Sequence, residues 1–173
     1  LVLSHLVVLA LPLGALVCSG ALAKDLARQT EEDLLHQAAL VTLLVAGELE
    51  RAGPSAELED VGPRLNQVLQ GVRDRTLAGF RVVDLDGQVV ASSGGGVGED
   101  ISGDPLVAKA LAGAVGTEKR PRDATRSRET SLNSKSRRAD YRVYVAEPLL
   151  VDGQLSGAVI LNRTPREEMQ TLW

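Results

Sequence analysis

Residues able to do covalent, acid–base or metal chemistry are scarce in these 173 residues and poorly placed for it. There are two histidines, His5 and His36, and one cysteine, Cys18. A zinc site or a histidine-based triad therefore has almost nothing to draw on. The run Gly94-Gly95-Gly96-Val97-Gly98 has the glycine density of a phosphate loop but no following Lys-Ser/Thr, so it reads as a flexible loop. Asp84 and Asp86 open like a calcium loop, yet the remaining ligand positions and the distal Glu are missing, and both read as turn residues. Asn162-Arg163-Thr164 is a formal glycosylation sequon and no more. With neither a nucleophile–base pair nor an isolated pair of carboxylates, the chain is expected to carry no catalytic residue, no metal site and no cofactor of its own.

What remains is recognition chemistry. Around 141–147, Arg142, Tyr144 and Ala146 alternate with Val143 and Val145. In a strand the first three share one face and the valines the other, which suits the valines to packing and leaves a guanidinium and a phenol together. Arg142 is otherwise an exposed sheet residue, and both readings stay open at this point.

The elements that would position such a face come from periodicity. Residues 24–51 carry an apolar stripe, Leu34, Ala38, Val41, Val45 and Leu49, at helical spacing. The stripe suits either a core face or a dimer seam, and His36 lies off it, in solvent. Gly53-Pro54-Ser55 breaks this helix, and Ser55 is a plausible N-cap for the next. The second stripe is Leu58, Val61, Leu65, Val68/Leu69 and Val72, with regular helix expected from Pro63, a suitable first-turn residue. The pattern then switches to strand. Residues 80–85 and 88–92 flank Asp86-Gly87, and residues 141–150 and 154–162 flank Asp152-Gly153. Asp-Gly between such runs is a strong hairpin signal. Between the hairpins lies a short helix at 104–112, opened by Asp104-Pro105. Thr164-Pro165 opens a last helix bearing Met169, Leu172 and Trp173, and the Trp suits either the rim of a second membrane span or ordinary core.

Residues 1–23 contain no Asp, Glu, Lys or Arg. A helix of that length spans roughly 34 Å, enough to cross a hydrocarbon core of about 30 Å. We read it as a retained transmembrane anchor; the alternative is a secretory signal cleaved after Ala21-Leu22-Ala23. Because the chain opens on Leu and stops at Trp173, it is expected to be a piece of a longer protein. The formal net charge of -4 points to no nucleic-acid partner. The charge is uneven, however. Residues 117–139, counted with Asp140, hold eight basic and four acidic residues with Leu132 as the one large aliphatic, and the segment reads as a solvated, mobile insertion or a contact with anionic lipid or ligand.

In order, the motifs resemble a known family. The first hairpin reads D-x-D-G-x-V-V-A-S from Asp84 to Ser92. Next come Gly98, Asp100, Ser102, Pro105, Val107, Ala110-Leu111 and Gly113. Last are Arg142-Val143-Tyr144-Val145-Ala146-Glu147-Pro148-Leu149, Asp152-Gly153 and Gly157-Ala158-Val159. This set is similar to the extracytoplasmic PAS-like sensor domain, single Cache type, of bacterial membrane sensor histidine kinases. The resemblance implies an α+β fold: a transmembrane helix continuing into a long helix, then a PAS/Cache-like antiparallel sheet with flanking helices. In domain terms it implies a transmembrane helix at 1–23 and a sensor domain at 24–173. Within the latter, 24–77 is helical, 80–162 is sheet with a mobile basic loop at 117–139, and 165–173 is a helix toward a second span. It further implies a ligand pocket on the sheet face away from the long helices, with Arg142, Tyr144, Ser92 and Ser102 as candidate ligand-binding residues. A basic residue on the strand of Arg142 holds a carboxylate in relatives that sense dicarboxylates and citrate. Those relatives also carry Arg-x-x-His where this chain has Val89-Val90-Ala91-Ser92.

The function so implied is the signal-sensing input of a membrane-bound two-component kinase. The implied partners are the membrane, a small ligand for which an anion is the candidate, a second copy in a homodimer and a response regulator. ATP and Mg would belong to a cytoplasmic kinase domain outside this chain. The alternatives are the input of a chemoreceptor or cyclic-nucleotide enzyme, or a secreted or tethered binding protein. The expected location is the bacterial inner membrane, with the soluble part extracytoplasmic.

Overall fold

The computed structural model describes residues 2–121 and 141–165, with side chains from Lys24 onward except Leu26. The basic loop beyond residue 121 and residues 166–173 of the last helix expected at 165–173 lie outside the described residues. So do the side chains of 1–23, although the backbone from Val2 is helical and runs unbroken to Ala52. Among the described residues no helix is long and apolar enough to cross a membrane.

Among those residues the chain forms two long helices, then an antiparallel sheet interrupted by a short helix. Helix α1 covers Val2–Ala52 and α2 Leu58–Thr76. Strand β1 is Gly79–Val83, β2 Val89–Ser92, α3 Pro105–Leu111, β3 Gly116–Pro121, β4 Tyr141–Val151 and β5 Gln154–Arg163. The spatial order is β2-β1-β5-β4-β3, with all pairs antiparallel. Both Asp-Gly turns are present, with Gly87 and Gly153 in the left-handed region that an L side chain avoids. Asp84 accepts hydrogen bonds from the amides of Asp86 and Gln88 through Oδ1, at 2.9 and 2.8 Å, so its role is to close the turn.

The helices cover one face of the sheet. All five residues of the α1 stripe are buried, and they join Leu58, Val61, Leu65 and Leu69 of α2 against Phe80, Val82, Val143, Val145, Val159 and Leu161. The larger core therefore lies between helices and sheet. Polar ties hold the layers in register. Thr117 Oγ1 donates to Glu31 at 2.7 Å, Arg163 meets Asp33 at 3.0 Å, and Glu48 receives both Arg51 and Arg64. His36 is exposed, in keeping with its place off the stripe.

Three local expectations need correction. Helix α2 is capped at Glu57, whose amide donates to Asp60 Oδ2 at 2.9 Å, and Ser55 lies outside it in an exposed turn. The acidic pair at this end satisfies a free amide and suits the helix dipole better than a hydroxyl two residues earlier. The helix is also regular before Pro63, which sits inside it on an exposed face. Finally, residues 117–121 are not part of a loop but of β3. An edge strand takes its stability from ladder hydrogen bonds to β4 and needs little core of its own, so polar composition does not exclude it.

Candidate functional site

The sheet face opposite the long helices is a lattice set by strand register. Arg120 pairs with Arg142 in one row. Glu118, Tyr144, Asn162 and Gly79 form the next, across four strands. Gly116, Ala146, Ile160, Arg81 and Ser92 follow, and then Pro148, Ala158, Val83 and Val89. Side chains alternate between faces along each strand, so members of these rows look the same way.

Helix α3 covers the apolar part of this lattice. Leu106, Val107 and Ala110 form a second core with Val83, Val89, Ala146, Ala158 and Ile160, and Tyr144 and Ile101 pack at its margin. Gly116 makes room for it, since a Cβ there would lie 2.6 Å from Leu106 Cδ1. The first two rows extend beyond this apolar cluster, and they are rich in charge and hydrogen-bonding groups. This is the candidate site.

Its electrostatics are unequal. Arg120 is held by two carboxylates: Nη1 and Nη2 donate to Asp104 Oδ2 and Oδ1, each at 2.6 Å, while Nε and Nη2 donate to Glu118 Oε2 at 2.9 and 2.6 Å. Its guanidinium carbon lies 4.7 Å from the centroid of the Tyr144 ring, a cation–π contact. These bonds to Asp104 and Glu118 raise the Arg120 pKa further above its ordinary value. Chiefly through Arg120, and also through the Leu106 amide that it caps, the Asp104 carboxyl is held below the usual carboxylate range. Arg81, on the β1 side of the face, meets Glu99 at 3.4 Å under the glycine loop. Arg142 is half-buried and has no ion-pair or hydrogen-bond partner among the described residues. Among the described residues, this end of the face therefore presents an uncommitted guanidinium beside one committed to two carboxylates.

Of the four candidates from the sequence, the structure brings Arg142 and Tyr144 together, two residues apart on one face of β4. Ser92 and Ser102 lie elsewhere. Ser92 sits on β2, three strands from β4 and thus roughly 14 Å away. It is 5% exposed; its amide donates to Asn66 Oδ1 at 2.7 Å and its Oγ accepts from the Gly94 amide at 3.2 Å. Ser102 is exposed in the loop before α3, where its amide donates to Asp100 and its backbone packs on Gly87. Both serines have local structural duties. Asp104, Glu118, Arg120 and Asn162 were not expected at the site from sequence. The alternation of Glu118 and Arg120 about Lys119 was the available signal, hidden inside a run dense in charge.

No family model and no curated protein matches this sequence. Solved structures do. The extracellular domain of the putative histidine kinase rpHK1S-Z16 aligns at 18% identity with a TM-score of 0.52, over 82% of this chain and 54% of that one. The sensory domain of the Campylobacter jejuni chemoreceptor Tlp3 aligns at 13% identity and 0.52, over 81% and 58%. The Tlp3 ligand-binding domain in complex with L-valine aligns at 15% identity and 0.52, over 81% and 57%. The chain thus spans little more than half the length of these proteins. Helices first, an antiparallel sheet with a short helix on its second face, and these likenesses lead to one conclusion: the chain has the Cache-like fold of the sensory domains of histidine kinases and chemoreceptors.

Proposed function

We propose that this chain is the signal-sensing input region of a membrane-bound sensor histidine kinase, and that it binds a small anionic ligand through Arg142, with Tyr144 beside it. The observation that carries the binding role is the contrast on the open face. Arg81 and Arg120 are committed to carboxylates, whereas Arg142 is half-buried and keeps its five N–H donors available among the described residues. A guanidinium in that state suits a planar, bidentate carboxylate. The likeness to a putative kinase's extracellular domain supports the sensing role, and the likeness to Tlp3 favours a chemoreceptor input as the second reading.

In this reading residues 1–23 anchor the chain and hold the sheet domain outside the cytoplasm. The ATP- and Mg-dependent kinase and its response regulator lie in other parts of the system. The chain works as a homodimer, with α1 as the seam, because Leu40 and Leu43 are 67% and 70% exposed on the side of α1 turned away from its core stripe. The test is ligand-induced thermal stabilisation by small carboxylates. Stabilisation of the parent protein that disappears in Arg142→Ala supports the assignment, and an unchanged shift removes Arg142 from the site.

A further inference from the structure

Arg120 stands directly across the strand pair from Arg142. Two adjacent guanidiniums would ordinarily suit a doubly charged anion, but the hydrogen bonds of Arg120 argue otherwise. Its Nε, one Nη1 proton and both Nη2 protons are directed at Asp104 and Glu118, leaving a single N–H. One of its faces is covered by Tyr144. With two carboxylates against one guanidinium, the Asp104–Arg120–Glu118 group carries a net charge of about −1. Glu118 is 45% exposed and lies in the same row as Tyr144, one step from Arg142 on the diagonal of the strand pair. Diagonal neighbours of this kind are about 7–8 Å apart, within reach of the far end of a short ligand.

We infer that the site accepts a singly charged carboxylate and rejects a second anionic group, with Glu118 as the residue that sets this preference. The inference rests on the reading of Arg142 as the ligand's anchor and deepens it by naming the ligand class. A ligand carboxylate on Arg142 has its charge balanced. A second carboxylate extending toward β3 meets a net negative cluster whose one cation is already used. The penalty at such separations, after screening by water, corresponds to about a tenfold loss of affinity or more. An uncharged or cationic group at the same position meets no such penalty.

The experiment compares diacids with their own monomethyl esters, which differ in one charge at nearly constant length. Malonate, succinate and glutarate, each beside its monoester, are titrated by ligand-observed NMR into the full chain held in detergent micelles. Arg142→Ala serves as the control for the anchor. The expected result is that a monoester binds at least about tenfold more tightly than its diacid, and that Glu118→Gln brings the two within about threefold. Glu118→Ala makes the same charge change without a replacement amide, and circular dichroism checks that both variants are folded. Equal or tighter binding of the diacid by the parent chain overturns the inference while Arg142 remains the anchor, provided Arg142→Ala abolishes both. A diacid penalty that persists in both Glu118 variants removes Glu118 from the role. Failure of every probe to bind, or binding untouched by Arg142→Ala, overturns the anchor reading itself.

Discussion

Asp104 at the start of α3 and Glu147 on β4 make opposite contributions to stability, and the sign of each is set by its surroundings. Asp104 is held below its ordinary pKa, first by its bonds to Arg120. It therefore stabilises the fold above the unfolded value of about 4, and that stabilisation is lost as pH falls through the lower, folded value. Asparagine still caps a helix, so Asp104→Asn isolates the ion pair. Urea denaturation should show a loss of about 1 kcal/mol at pH 7 and a shallower decline toward pH 3 than in the parent. Glu147 behaves in the other direction. It lies on the helix side of β4 between Val145 and Leu149, opposite Val159, and burial pushes its pKa up. An acid whose folded value is raised costs stability when ionised, a cost present at pH 7 and removed as pH falls below its unfolded value, about 4.3. Glu147→Gln is expected to stabilise the fold at pH 7 by about 0.5–1 kcal/mol, with the gain vanishing in acid. A destabilised variant at pH 7 would refute this account of Glu147.

Among the elements, the close approach of β5, β1 and α2 tolerates the least change. A Cβ at Gly157 would lie 2.1 Å from the Val83 carbonyl oxygen and 2.9 Å from Leu58 Cδ1. Gly157→Ala must push the strands or α2 apart and should cost about 2 kcal/mol or more in urea denaturation. These elements were largely legible in the sequence because their signals are local. The whole α1 stripe is buried, both Asp-Gly hairpins form, and Asp104-Pro105 opens α3 as expected. Errors arose where tertiary pairing outweighs composition. Glu118-Lys119-Arg120 reads as solvated loop, yet β4 offers a ladder and Asp104 offers a partner for Arg120. The distance of Ser92 from Arg142 was equally illegible, since the sequence does not show that three strand steps separate β2 from β4. The alternation in β4, by contrast, was enough to place Val143 and Val145 on the helices and Arg142 and Tyr144 on the opposite face.

Across the whole molecule, the sheet divides two tasks. Its helix-side face joins α1 and α2 in the larger core, and its other face carries α3 and the open charged rows. Under the proposed function, ligand binding on one face would bias how the sheet rests against α1 on the other, and α1, unbroken from residue 2, would carry that bias along its length. If α1 is also the dimer seam, Leu43→Asp should shift the full chain in micelles from dimer to monomer in sedimentation equilibrium, without unfolding it, because Leu43 is 70% exposed. A dimer that persists would place the seam elsewhere. The location of the binding site is tested most directly by two-dimensional NMR of the isotopically labelled chain during titration with small carboxylates. The largest amide shifts are expected at Gly79, Glu118, Arg120, Arg142, Tyr144 and Asn162, the residues of the first two rows. Shifts confined to the α1–α2 side, or to the loops around Ser92 and Ser102, would show that this face of the sheet is not where the ligand binds.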